Sequence, residues 1–166
     1  RAALEDGCER AVWFDADTLI FAPTRLDLPD TPQAFGHEVW IEDDARGRLR
    51  ARRNVHNAAL MFARGNSALP FLIETVQSVI RRADPGRIAP QMVGPKLLGA
   101  LHSIADFPLW PACGAFSPPV IRDIAAGGGP ALDLLKQESD PAAANLCQSL
   151  AGDVGENALD LAIEQL

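Results

Sequence analysis

The hydrophobic period of the chain changes near Ser67, and that change limits its fold more than any single motif does. Before it, apolar residues come in short runs, from Ala11 to Phe14, Thr18 to Phe21, Ala34 to Ile41 and Ala58 to Ala63. Short runs bounded by turn residues read as strands, and Pro23 ends the second because proline donates nothing to a ladder. After it, Leu69, Leu72, Ile73, Val76, Val79 and Ile80 recur at the three and four spacings of one helix face. That helix should stop near Asp84-Pro85-Gly86. Gly94-Pro95 opens another through Leu97, Leu98 and Leu101, with Pro95 where its missing N–H costs nothing. Strands early and helices later predict a mixed α/β fold. Ala2 to Glu5 reads as the end of a helix closed by Gly7. Residues 42–53 read as a polar loop or projecting hairpin, and the prolines from Pro108 to Pro119 as an irregular stretch. Weaker helical patterns run over Ala131–Lys136, Ala142–Leu150 and Asn157–Leu166, and Gly127-Gly128-Gly129 reads as a flexible connector.

Composition narrows the function classes. With 166 residues, 48% hydrophobic, the chain suits one domain with its own core. A formal charge of −7 argues against nucleic acid as a partner and requires any anionic ligand to be met locally. No apolar run approaches the ~20 residues of a membrane span, and no signal peptide is visible. Cys8, Cys113 and Cys147 show no metal-ligand or disulfide spacing, so reduced thiols are expected, with a cytoplasmic location or a peripheral one at the membrane. Because the chain opens on Arg1, it reads as a fragment with further sequence upstream.

Asp15 and Asp17 lie between two apolar runs. Carboxylates at a core edge repel one another and lose hydration, which a cation offsets. Two of them separated by one residue can turn toward one point, and oxygen ligands favour Mg²⁺ or Mn²⁺ over zinc. Such an ion bridges to phosphate oxygens. An exposed Asp-rich hairpin turn explains the same residues without a ligand.

The string Val12-Trp13-Phe14-Asp15-Ala16-Asp17-Thr18-Leu19-Ile20 resembles the Asp-x-Asp segment of sugar-nucleotide-dependent glycosyltransferases of the family 32 type, related to the α-1,4-glycosyltransferases. Other segments follow in that family's order. Arg1, Leu4 and Gly7 resemble the helix before the Asp-x-Asp strand, and Phe35-Gly36-His37-Glu38 a short strand after it. Asn57-Ala58-Ala59-Leu60-Met61 resembles the Asn-Gly-hydrophobic strand, Pro70-Phe71-Leu72 the start of a long helix, Gly94-Pro95 a helix opening and Phe116-Ser117-Pro118 an aromatic-x-Pro segment. The likeness covers about Arg1 to Ala151 and is specific as a set rather than piece by piece.

The resemblance implies a partial GT-A fold over 1–151, its N-terminal nucleotide-binding part lying upstream, and a helical tail over 152–166. It implies transfer of a sugar from a nucleotide-sugar donor to a glycan, lipid or protein acceptor, with retention, assisted by Mn²⁺ or Mg²⁺. Asp17 and Asp15 would hold the metal and act in catalysis. Arg1 would face the donor, Asn57 would hydrogen-bond sugar or acceptor, and Gly94 would admit backbone to the site. Asn145 stands in the segment where the family carries a metal-binding histidine, and so is the third candidate ligand.

Two other readings compete. One is a non-catalytic remnant of the same scaffold, used for binding or assembly. The other is a haloacid-dehalogenase-type phosphatase, for which Thr18 and Leu19 stand out of register with Asp-x-Asp-x-Thr. The arginines at 46, 48, 50, 52 and 53 could meet an anionic acceptor or a membrane surface, but pairing with Glu42, Asp43 and Asp44 is the simpler expectation. The three histidines show no ligand spacing. Trp13 reads as core packing, and Trp110 as the better sugar contact.

Overall fold

A computed structural model describes residues 1–84, 92–147, 154 and 156–166. The chain forms two compact units, one of residues 1–14, 28–36 and 55–110, the other of 15–27, 37–54 and 111–166. Both are mixed α/β.

In the first unit, α1 (Ala2–Glu5) leads into β1 (Arg10–Phe14). β1 runs antiparallel to β4 (Leu49–Ala63), from Arg10 opposite Ala63 to Phe14 opposite Ala59. β3 (Gln33–Asp43) runs parallel to the short β5 (Leu109–Trp110), and the sheet order is β1-β4-β3-β5. β3 and β4 are long enough to contribute to both units. α2 (Ala68–Arg82) and α3 (Pro95–Ala105) complete this unit. The predicted apolar stripe of α2 buries Leu72 with Phe35, Val55, Phe62 and Leu98. Its start is closed by Asn66, whose Oδ1 accepts the Leu69 N–H at 2.9 Å. Pro85 and Gly86, expected at its stop, lie outside the described residues.

The second unit holds β2 (Thr18–Ile20), β6 (Cys113–Ala115) and β7 (Ala143–Asn145), in the order β2-β7-β6. β7 is antiparallel to β2 and parallel to β6. α4 (Pro118–Ala125), α5 (Pro130–Glu138) and α6 (Glu156–Gln165) flank it. Phe116, Val120, Ile121, Ile124, Leu135, Ala144, Leu146 and Ala162 share one core. The β3–β4 turn is closed by Asp44, whose Oδ1 accepts the Arg46 and Arg48 N–H groups at 2.8 and 3.0 Å. Those amides hold the Asp44 carboxyl below its usual range. Arg48 and Arg50 pair with Asp44 and Glu42, as expected of a cluster that neutralises itself.

Four sequence readings are corrected. The described part of 142–150 holds no helix and forms a strand at Ala143–Asn145, because these residues are buried between two other strands and that tertiary pairing outweighs alanine's helix preference. Residues 148–150 lie outside the described residues. Pro118 and Pro119 open a helix instead of stiffening an irregular stretch. The glycine run is a built turn, with the Asp123 Oδ2 accepting the Ala131 and Leu132 N–H groups at 2.6 and 3.0 Å and capping α5. A Cβ on Gly129 would stand 2.3 Å from the Asp123 carboxyl carbon. Lastly, the tryptophans exchange roles: Trp13 is 61% exposed, whereas Trp110 is 2% exposed and packs against Phe14.

Candidate functional site

β1 ends at Phe14 and β2 begins at Thr18, so Asp15-Ala16-Asp17 forms the turn between two strands. The Thr18 N–H donates to the Asp15 carbonyl at 3.0 Å and closes that turn. Both aspartates are half-buried. Asp17 is held from far along the chain. Asn145 Nδ2 donates to its Oδ1 at 2.6 Å, and the Leu146 N–H donates to its carbonyl at 2.9 Å. The cause is register: Thr18 lies directly opposite Asn145 in the β2–β7 ladder.

Asn145 is itself fixed. Its Oδ1 accepts the Cys147 N–H at 2.8 Å, a turn that places Cys147 at φ 49°. Its carbonyl oxygen is committed to that turn and its amino group to the aspartate. Asn145 therefore meets Asp17 as a hydrogen-bond donor, where the sequence reading expected an oxygen ligand.

The pleat sorts the remaining side chains. Alternate residues face opposite sides of a strand, and Leu19, Phe116, Ala144 and Leu146 belong to the apolar core. Thr18, Asn145 and Ala115 thus share the other side, and Ser117, two residues beyond Ala115 in extended backbone, continues it. Thr18 Oγ1 and Ser117 Oγ are buried with no hydrogen-bond partner among the described residues. A buried hydroxyl without a partner costs about 1–3 kcal/mol, so both groups call for an explanation.

Glu38, on β3, is half-buried and accepts the Asn54 Nδ2–H at 2.8 Å. Burial raises its carboxyl above the ordinary value, with Asn54 and Arg52 opposing. The Cys147 thiol is pushed up to about 12, first by burial and then by the charges of Glu38 and Asp17. Cys147 is protonated at neutral pH and is a poor nucleophile. Sequence reasoning passed over Thr18, Glu38, Ser117 and Cys147 as site residues. Glu38 stood in a segment read only as strand, and the others carry no spacing signal.

The remaining candidates belong to the first unit. Asn57 and Gly94 come together: a Cβ on Gly94 would stand 3.1 Å from Asn57 Oδ1, so the glycine admits the amide. Arg1 is exposed and its Nε pairs with Glu5 at 2.7 Å.

Among the described residues no group of three or more His, Cys, Asp or Glu could hold a metal ion by itself. A hard divalent ion that keeps its waters and shares a diphosphate needs no such cage, since one or two carboxylates suffice. Asp15, Asp17 and the buried Thr18 hydroxyl fit that chemistry as oxygen donors. No helix among the described residues is long and apolar enough to cross a membrane. The chain matches no family model, no curated protein and no solved structure.

Proposed function

We propose that this chain is a GT-A-like, metal-dependent glycosyltransferase, moving a sugar from a nucleotide-sugar donor to a glycan, lipid or protein acceptor. The observation that carries the reading is the Asp17 carboxylate, held at 2.6 Å by an amide from the other end of the chain on a polar strand face. A solvated hairpin turn requires no such hold, and so this contact favours a ligand site over the bland alternative.

On this reading Asp15 and Asp17 hold Mn²⁺ or Mg²⁺, and Asn145 orients Asp17 before the ion arrives. When bound, the ion supplies Lewis acidity toward the diphosphate oxygen that leaves the sugar, where negative charge develops in the transition state. Asn145 is a neutral donor, so it positions the carboxylate ahead of the ion without adding a third negative charge. The roles of Arg1, Asn57 and Gly94, and retention of configuration, rest on the family likeness alone.

The test is release of free nucleoside diphosphate from a panel of uridine and guanosine diphosphate sugars with Mn²⁺. The expected result is turnover of at least one donor, falling about a hundredfold in Asp17→Asn. Absence of turnover across the panel, or an Asp17→Asn variant as active as the parent, contradicts the proposal.

A further inference from the structure

The Thr18 hydroxyl makes no hydrogen bond among the described residues. It is a buried oxygen at the first position of β2, directly opposite the asparagine that holds Asp17. Opposed residues in an antiparallel ladder put their side chains on the same side, with Cβ atoms about 5 Å apart. The Asp17 carboxylate reaches that side too, since its Oδ1 takes the Asn145 amide hydrogen at 2.6 Å. Three polar groups therefore converge there, and two of them satisfy each other.

The Asn145 amino group lies on an Asp17 oxygen, the position a cation would take, and it carries the positive end of the amide dipole. A cation arriving at Asp17 repels that amino group. Its displacement would open Asp17 Oδ1 on the strand side that the Thr18 hydroxyl shares. An alcohol oxygen is a hard, neutral donor suited to Mg²⁺ or Mn²⁺ and adds no charge to a site already holding two carboxylates. We infer that Thr18 is a further oxygen ligand of the divalent cation at Asp17, an inference that rests on the metal reading above.

Ser117 supplies the control. It is also buried and without a partner among the described residues, but it lies past β6, beyond the strand neighbour of Asn145. Its replacement should leave the cation alone.

The experiment measures Mn²⁺ binding by the loss of the free-ion paramagnetic resonance signal, with and without uridine diphosphate, alongside thermal melts without metal. Thr18→Val, which keeps the shape and removes the oxygen, should weaken Mn²⁺ binding about tenfold. Its metal-free melting temperature should be no lower than the parent's, because an orphaned hydroxyl has been removed. Thr18→Ser should bind like the parent, and so should Ser117→Ala. Parent-like Mn²⁺ binding by Thr18→Val, with binding lost in Asp17→Asn, overturns the inference and leaves the metal reading standing. If the parent chain binds no Mn²⁺ under either condition, both fail together.

Discussion

His56 and Gly36 show how a single side chain can dictate its neighbour. His56 is buried, and its Nδ1 accepts the Ala58 N–H at 3.2 Å, which leaves the ring proton on Nε2. The ring crosses Gly36 so closely that a Cβ there would stand 2.2 Å from Nε2. Gly36→Ala should therefore cost about 1–3 kcal/mol, read as a lower thermal midpoint, and an unchanged midpoint would contradict the packing. Glu38 makes a prediction in pH. Burial raises its folded-state carboxyl above the ordinary 4.5, so the folded chain binds that proton more tightly than the unfolded one. The resulting stability is complete below 4.5 and is lost as pH rises through the raised value. Glu38→Gln should melt above the parent at neutral pH, with the gap closing as pH falls toward 4.5; a gap independent of pH would refute this.

Elements were legible where burial follows a period. The stripe Leu69, Leu72, Ile73, Val76 specified α2 and its buried side, while the short apolar runs around Val12, Leu19 and Phe35 specified strands without fixing which face is buried, so that Trp13 in β1 is exposed. β7 was not legible. Two alanines and an asparagine have no period, and they form a strand only because β2 and β6 lie on either side. The aspartate pair of the candidate site was visible for its odd placement between apolar runs. Its partners were not, since Asn145 and Thr18 meet through a ladder between residues 127 positions apart. The glycine run was misread for a similar reason: the cap that orders it comes from Asp123, on the preceding helix. Asp123→Ala should lower the urea midpoint, corresponding to about 0.5–2 kcal/mol, without changing the slope. No change in midpoint would mean that the cap contributes nothing.

Across the whole molecule, charge sets the terms on which a nucleotide can bind. A chain of formal charge −7 offers a diphosphate no general attraction, and Arg48 and Arg50 beside the β3–β4 turn are paired with Asp44 and Glu42. A diphosphate at Asp15 and Asp17 would add negative charge to negative charge, so binding must be conditional on a cation. The most direct measurement is a thermal melt of the intact chain with uridine or guanosine diphosphate, with and without Mn²⁺, repeated on Asp17→Asn. A nucleotide at a hundred times its dissociation constant stabilises by about 2.7 kcal/mol, which raises the midpoint of a chain this size by roughly 5–10 °C. That rise is expected only when Mn²⁺ and nucleotide are both present, and should be lost in Asp17→Asn. A rise that needs no metal, or one that survives the loss of the Asp17 charge, would contradict the metal reading.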